Sequence, residues 1–502
     1  MFNLTLFIVI PILTAIAVMV CRNGTQIRLA AFTGSVVQLL LSFLLLYYYT
    51  SERATGNMAQ FLFTQRAIWY EALHIEYHVG VDGISIAMMM LTAIVVMAGI
   101  LMSWKIQTLT KEFFFLVILL SLGAYGFFIS LDLFTMFFFL ELAVIPKYLL
   151  IILWGSGRKE YSAMKLALML MAGSALILVG ILAVYFHIGQ ERWVHTRDLA
   201  QIAVMQFPPD VQKFIFPFLF VGFGIFTALF PFYTWAPDGH SSAPTAASMF
   251  LAGISMKLGG YGCLRVAVYL LPQAASYYSW IIVLLAVIAI IYGSFATLMQ
   301  KDLKYMNAYS SVSHCGFVLL GIGMLTRTAI MGAVMQMVSH GLMTALFFGA
   351  IGMIYERTHT RQIEELGGLL KVIPFIGVVY VIAGLCSLGL PGMSGFVSEM
   401  TIFTGSWQCT GMFNRVATIL ACASIVVTAV YILRAAGRAV MGPIGNEKYL
   451  QLPDASWSEK LASVMLIGTI VCIGMAPFWL TKLIDADTQT IMENILRNLR
   501  LS

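Results

Sequence analysis

Long runs of apolar residues recur along the whole chain and constrain its fold more than any other feature. A helix of about 20 apolar residues crosses the roughly 30 Å hydrocarbon layer of a membrane. The runs are continuous rather than alternating, so they favour helices over a closed barrel. They predict fourteen spans, near residues 2–21, 27–49, 82–103, 112–130, 133–155, 161–186, 213–237, 242–270, 277–299, 303–325, 329–355, 372–405, 414–440 and 458–480. We therefore predict an all-α polytopic membrane protein.

The composition excludes the usual soluble classes. Of the 502 residues, 60% are hydrophobic and only 10% are charged, whereas about 25% of a soluble domain is charged. Residues 50–80 and 187–212 are the only sizeable hydrophilic segments, which leaves no room for a soluble catalytic domain. The net charge of +6 is no evidence for nucleic-acid binding, because excess Lys and Arg in a membrane protein reflect loop orientation.

The distribution of Lys and Arg predicts the orientation in the membrane. Loops after odd-numbered spans carry sixteen of these residues, and loops after even-numbered spans carry seven. Since basic loops stay in the cytoplasm, both termini should lie on the periplasmic side of a bacterial inner membrane. The start of the chain lacks a basic segment and a cleavage site, so it is interpreted as the first span and not as a signal peptide.

Two spans contain breaks. Span 7 carries Pro231 followed by a polar stretch, and span 12 carries the Gly-rich segment 389–395. Broken helices in corresponding positions indicate inverted repeats with an ion site near the membrane midplane. We predict two inverted five-helix repeats, helices 4–8 and 9–13. The resulting divisions are 1–110 for helices 1–3, 111–270 for the first repeat, 271–440 for the second, and 441–502 for helix 14 and the tail.

Six ionisable residues lie inside apolar runs and are the candidate functional residues. Each charge costs about 2.5–3.5 kcal/mol at a helix centre, so such residues face protein or water and are functional by default. They are Glu141 and Lys147 in span 5, Lys257 in span 8, His314 in span 10, His340 in span 11 and Glu399 in span 12.

Some of these residues also have a purely structural interpretation. A lone intramembrane histidine can simply hydrogen-bond a neighbouring helix, which applies to His314 and His340 taken singly. Lys147 can extend its ammonium to the headgroups, and Arg265 near a span end is interpreted in the same way. Seven scattered Cys and eight His form no metal-binding spacing, so we expect no metal, haem or iron–sulfur centre on this chain.

A file of acids, amines and imidazoles across a helical bundle is suited to proton translocation. The proton occupancy of each buried group responds to the position of its charged partner, so each can be loaded or emptied in turn. Other chemistry is not indicated. The Ser162–Lys165 spacing begins a membrane helix instead of a hydrolase site, and the isolated G-x-G pairs follow no strand.

Four segments carry a distinctive sequence: WAPDGHSSAPTAASMFLAGISMKLGGYGCLR (235–265), YSSVSHCGFVLLGIG (309–323), YERTHTRQIEELGGL (355–369) and LGLPGMSGFVSEMTIFTGSWQ (388–408). These motifs closely resemble one family, the M-type antiporter-like subunit of respiratory complex I. The resemblance runs from about residue 70 to 440 and is highly specific.

The resemblance implies a proton-translocating membrane-arm subunit of NADH:quinone oxidoreductase that binds no cofactor. FMN and iron–sulfur clusters would lie in partner subunits, L-type and N-type subunits would be neighbours, and lipids and protons would be the other partners. Glu141 would be an electrostatic switch beside a neighbouring subunit. Lys257 would hold the proton centrally, and His314 and His340 would relay it to Glu399 for exit.

One position departs from the family pattern. The motif places a lysine of helix 7 at position 226, where this chain has Phe226, and Ala228 replaces the usual proline two residues later. The chain also carries an uncommon Lys147, six residues after Glu141 and next to Pro146. We predict that Lys147 points into the bundle and replaces the missing lysine. The rivals are a headgroup-facing Lys147 and a broken central relay.

Three other functions remain open. The chain could be a non-pumping spacer or a second M-type copy in its complex. It could serve a cation/proton antiporter, which shares this fold, although the segments 355–361 and 389–396 favour the M type. It could also belong to a membrane-bound hydrogenase, since these enzymes share pumping subunits.

Overall fold

A computed structural model of the chain describes residues 2–71, 75–192, 198–205 and 207–500. Its helices are α1 (Leu6–Val20), α2 (Gly24–Ala54), α3 (Gly83–Met102), α4 (Thr110–Ile129), α5 (Leu133–Trp154), α6 (Lys159–Arg192), α7 (Leu199–Val204), α8 (Pro209–Phe226), α9 (Trp235–Ser242), α10 (Thr245–Phe250), α11 (Met256–Gly262), α12 (Pro272–Leu298), α13 (Leu303–Gly323), α14 (Arg327–Thr358), α15 (Leu369–Val372), α16 (Pro374–Ser387), α17 (Ser394–Trp407), α18 (Met412–Ala435), α19 (Trp457–Met475) and α20 (Phe478–Arg500). The two strands are β1 (Leu62–Tyr70) and β2 (Ile75–Val81).

The all-helical membrane architecture is confirmed. Within the described residues, ten helices are long and apolar enough to cross a membrane. Every residue of α3 is buried, so this helix lies in the interior of the bundle, which suits its almost entirely apolar sequence. The exact number of fourteen spans and the repeat boundaries stay predictions.

Both predicted breaks are present. The first separates α8 from α9, and a short 3₁₀ turn over Phe232–Thr234 occupies part of it. The second separates α16 from α17, where Gly389 and Gly392 have φ values of +71° and +93°. Only glycine adopts these angles without strain, which explains why a Gly-rich segment interrupts this span.

The helix that carries Lys257 has an irregular winding that the sequence pattern did not reveal. Two π-helical segments, Leu251–Ser255 and Cys263–Val268, flank α11 on either side. π-helical turns inside α-helices are rare and occur frequently at functional sites. The lysine therefore lies on a short α-helical piece between two wider turns.

The hydrophilic segment 50–80, interpreted from sequence as a loop, contains an antiparallel β-hairpin. Strands β1 and β2 pair from Leu62 with Val81 to Tyr70 with Ile75, with two register shifts. The outer part of β1 is exposed, whereas the end of β2 is buried against the bundle. In the second hydrophilic segment, residues 193–197 and 206 lie outside the described residues.

The C-terminal tail forms a helix of its own. Span 14 was predicted to end near residue 480, but α19 stops at Met475, and the amphipathic α20 follows. Asp487 of α20 accepts a hydrogen bond from the Ile84 amide at the start of α3, at 3.2 Å, and lies 3.9 Å from the Arg53 guanidinium. These contacts fasten α20 across the end of the bundle.

The interpretation of Arg265 as a headgroup-facing residue is wrong. Its side chain is fully buried and forms an ion pair with Asp82, the residue that caps α3. A buried charge is tolerated when it is paired in this way, since leaving it unpaired costs several kcal/mol, about 3–5 when one partner is removed. Sequence alone did not reveal the pair because 183 residues separate its members.

Candidate functional site

Lys257 and His340 meet at the centre of the candidate site. The Lys257 ammonium lies 2.7 Å from His340 Nδ1 and donates a second hydrogen bond to the Ala252 carbonyl of its own helix. An ammonium only donates, so Nδ1 of the imidazole accepts. Both side chains are buried. The two residues are therefore a directly hydrogen-bonded amine–imidazole pair.

Close backbone packing makes this contact possible. A Cβ atom on Gly341 of α14 would lie 2.8 Å from the Gly253 carbonyl oxygen in the π segment before Lys257. Real Cβ atoms do not approach so closely, so any larger residue at position 341 would push the two helices apart. The small residues thus bring the lysine side chain within reach of the histidine.

A second histidine extends the line from Lys257 toward the broken helix. The rings of His340 and His314 lie 5.5 Å apart between centroids. Nδ1 of His314 lies 3.5 Å from a carboxylate oxygen of Glu399. The four residues are all buried. They form a continuous line in the order Lys257, His340, His314, Glu399.

The break in span 12 positions the acidic end of this line. Glu399 lies in the second turn of α17, directly after the break. A Cβ atom on Gly389 would lie 2.6 Å from Glu399 Oε2, so the carboxylate rests against the glycine backbone. The absence of a side chain at this point leaves room for the carboxylate beside the interrupted helix.

Glu141 and Lys147 form a separate cluster around α5. The Glu141 carboxylate interacts electrostatically with Lys147 and contacts the Ser174 hydroxyl of α6. Lys147 is 1% exposed, and its ammonium lies 5.7 Å from the centre of the Phe226 ring. This buried position does not fit the headgroup-facing interpretation of Lys147. The lysine contacts the very residue that stands where the family pattern places a lysine.

The sequence analysis missed two polar partners of the line. Gln336 Nε2 lies 3.3 Å from His314 Nδ1, and Ser387 Oγ lies 3.1 Å from His314 Nε2. Gln336 precedes His340 by four residues, so both lie on one face of α14. A glutamine in an apolar run at that spacing was a usable signal, whereas Ser387 carried none because serine is common in membrane helices.

The arrangement suits the movement of protons. Amine, imidazole and carboxylate are the side chains that gain and lose protons near neutral pH. Within the described ranges, no group of three His, Cys, Asp or Glu side chains is placed to hold a metal ion.

Known proteins resemble the chain in both sequence and fold. The model of the family "NADH:quinone oxidoreductase/Mrp antiporter, TM" matches residues 130–428, more than half of the chain. The chain is 36% identical to NAD(P)H-quinone oxidoreductase chain 4-2 of Synechocystis sp., over 86% of this chain and 76% of the relative. It is 34% identical to NADH-quinone oxidoreductase subunit M of Rickettsia bellii, over 91% of each chain.

Solved structures share the whole architecture. A chain of respiratory complex I from Thermus thermophilus superposes with a TM-score of 0.88 at 22% identity, covering 98% of this chain and 99% of the other. A chain of the Mrp complex from Dietzia sp. superposes with a TM-score of 0.82 at 17% identity, covering 97% and 99%. Family match, curated relatives and fold agree, and the chain belongs to the NADH:quinone oxidoreductase/Mrp antiporter family as an M-type, complex I antiporter-like membrane subunit.

Proposed function

We propose that this chain conducts protons as the M-type membrane-arm subunit of an NADH:quinone oxidoreductase. The observation that carries the proposal is the buried line from Lys257 through His340 and His314 to Glu399. The line ends at a helix break, where the unwound backbone lies beside a buried acid, as at the ion sites of discontinuous membrane helices. The curated relatives are subunits of such oxidoreductases.

In the proposed mechanism, Lys257 holds the proton and passes it to His340, which is already its hydrogen-bond acceptor. His314 takes the proton next, and Glu399 releases it at the break in span 12. Quinone chemistry in partner subunits supplies the energy. Moving one charge against 100 mV requires about 2.3 kcal/mol, and shifts in charge position at several buried sites transmit this energy from the quinone chemistry to the proton.

Glu141 is the proposed contact point with a neighbouring subunit. It lies half-buried on the side of α5 where Phe138 is 41% exposed and Ile145 is 59% exposed. The spacing of these three residues places them on one helix face. An acid beside an exposed apolar face is suited to an interface, and we assign this face to an L-type or N-type neighbour.

The remaining assignments follow from the same proposal. The complex lies in a bacterial inner membrane, with both termini of this chain on the periplasmic side. The chain contributes proton transfer to a translocase, and FMN and iron–sulfur clusters belong to its partners. The end of the bundle that carries the basic loops is then the side of proton uptake.

Substitution of Lys257 tests the proposal. The assembled oxidoreductase is reconstituted in vesicles, and proton pumping is measured together with quinone reduction. Lys257→Arg keeps the charge but does not release a proton, because arginine stays protonated in proteins. It should impair pumping nearly as much as Lys257→Met. Lys301→Met is the control, since Lys301 is an exposed lysine paired with Glu364 at the surface.

Full pumping by Lys257→Arg would show that Lys257 supplies only charge, and the proposal would then be wrong. The second candidate is a subunit of a cation/proton antiporter, favoured by the superposition on the Mrp complex. Proton flux that depends on sodium ions, in vesicles without NADH, would support this candidate over the first.

A further inference from the structure

One face of α13 carries a stripe of buried polar side chains. It consists of Lys304, Asn307, Ser311 and His314, all no more than 5% exposed. The spacings of three, four and three residues place them on one side of the helix. Ten residues of helix correspond to about 15 Å. The stripe therefore runs from the first turn of α13 to His314, a member of the buried line from Lys257 to Glu399, called the proton line below.

Asn307 in this stripe has no protein partner. Its side chain is fully buried, and neither the amide nitrogen nor the amide oxygen hydrogen-bonds to any described residue. Buried polar groups are nearly always satisfied, by protein or by ordered water. The amide offers two donors and one acceptor oxygen, which matches the two to four partners that a buried water needs. The side chain is therefore built to hold water.

The opposite face of α13 gives a contrast on the same helix. Ser313 is equally buried, but its hydroxyl bonds with Ser294 and the Ile290 carbonyl of α12. Polar residues on that face join two helices and are satisfied by protein. The unsatisfied amide of Asn307 is thus not a general property of polar residues in α13.

The outer end of the stripe lies at the basic face of the bundle. Lys304 follows Asp302, which caps α13 and pairs with Arg361 at 3.2 Å. The Lys304 ammonium is buried and donates to the Ala243 carbonyl, in the turn between α9 and α10. Lys304 is thus a buried amine near the loops, and the unsatisfied amide of Asn307 follows one helical turn later. This position suits the start of a polar path.

The inner end of the stripe joins the proton line at two points. His314 is both the last residue of the stripe and a member of the line. Its neighbour Cys315 lies 4.0 Å from His340 Nδ1. The stripe and Cys315 together connect the Lys304 end of α13 with both histidines.

We propose that this face of α13 is the proton-uptake path of the subunit, with Asn307 as the residue that positions its water. The proposal rests on the proposed function. A proton enters at Lys304, which passes one to the water held by Asn307 and Ser311, and this water passes one to His314. While the line loads, His314 and His340 pass the proton on to Lys257, which holds it until the line discharges through the same two histidines to Glu399. Each group gives one proton forward and receives one from behind, so one proton enters the line for each that leaves it.

The test replaces Asn307 in the assembled oxidoreductase, reconstituted in vesicles. Asn307→Leu keeps the size but expels water, and it should slow pumping roughly tenfold, equivalent to about 1.4 kcal/mol of barrier. Asn307→Ser keeps a polar group and room for water, so it should retain most of the activity. Ser313→Ala removes a buried hydroxyl from the opposite face and should leave pumping unchanged.

Each outcome decides the proposal. Unchanged pumping in Asn307→Leu overturns it, and so does equal loss in Asn307→Leu and Asn307→Ser, which indicates a packing role. If Asn307→Leu does not assemble, Lys304→Met is measured instead, with the same loss expected and unchanged pumping overturning the path. Lys257→Met separates the two proposals: normal pumping there rejects the function itself, whereas loss there with a normal Asn307→Leu rejects only the path.

Discussion

At the scale of single residues, the pair of Lys147 and Phe226 is the sharpest departure from the family pattern. The Lys147 ammonium lies over the Phe226 ring, 5.7 Å from its centre, and interacts electrostatically with Glu141. A cation over an aromatic face is stabilised by about 2 kcal/mol or more when it is desolvated. The cation near Glu141 is thus supplied from α5 and not from the end of α8.

We predict that Lys147→Met lowers pumping by about the same factor as loss of a central relay group, roughly tenfold or more. The double variant Lys147→Met with Phe226→Lys should recover pumping, because it returns an amine to the same place from the opposite helix. Proton pumping per electron in vesicles measures both. Phe226→Lys alone is the control, and it should be impaired by two adjacent cations.

A normal rate in Lys147→Met would contradict this compensation. A double variant that stays inactive although it assembles would show that position 226 cannot replace Lys147. The spacer function would gain support only if Lys257→Met also pumped normally.

The residues of the site were largely predictable, whereas their partners were not. Ionisable residues in apolar runs stand out because placing a charge in the membrane costs free energy. This principle predicted four candidates, Lys257, His314, His340 and Glu399. It did not predict that Lys257 bonds His340, because pairing depends on how distant helices pack. Asn307 carried no signal, since it lies near the start of span 10 beside Lys304 and Tyr305, where polar residues are expected.

At the scale of elements, glycine and proline predicted where helices break. The interruption between α16 and α17 coincides with the Gly-rich segment of span 12. The π-helical turns around Lys257 escaped prediction, because a hydrogen-bond shift of one residue leaves the apolar pattern unchanged.

We predict that Gly389→Ala uncouples Glu399 from His314 while the complex still assembles. The positive φ costs an alanine about 1–2 kcal/mol, and its Cβ would lie 2.6 Å from the Glu399 carboxylate. Pumping should fall severalfold, and the thermal midpoint of the complex should fall slightly. Gly468→Ala is the control, since nothing lies within 4 Å of a Cβ there. Equal pumping in both variants would contradict the role of Gly389.

At the scale of the whole molecule, the β-hairpin after α2 and the C-terminal helix were predicted least well. The β-hairpin was missed because only part of one face is buried, so the alternation of apolar and polar residues is weak. Helix α20 was missed because a charged tail after a span resembles a loop. The amphipathic pattern of α20 is explained only by the structure, in which the helix packs against α3.

We predict that α20 docks more firmly at acidic pH. Burial raises the pKa of Asp487 from 3.8 to about 6, although Arg265 and Arg53 act against this shift. The neutral acid therefore fits the docked site better, and this stabilisation is fully present below about pH 3.8 and is lost as the pH rises to about 6.

Hydrogen exchange of α20 at pH 4.5 and pH 7.5 (about 1.5 units either side of a pKa near 6), corrected for the intrinsic rate, measures this effect. Protection should be greater at the lower pH in the wild type and independent of pH in Asp487→Asn. The same pH dependence in both proteins would assign the effect to another group.

The winding of the helix around Lys257 is stabilised partly by the charge on the Lys257 ammonium. In the π segment Leu251–Ser255 the Ala252 carbonyl receives a hydrogen bond from the Lys257 ammonium. A charged donor binds a carbonyl about twice as strongly as a neutral one. In the proposed relay, each proton that Lys257 passes to His340 therefore weakens one of the hydrogen bonds that hold this turn. The coupling also works in the other direction. If neighbouring helices tighten or relax the pitch of this turn, they change how strongly the Lys257 amine binds its proton.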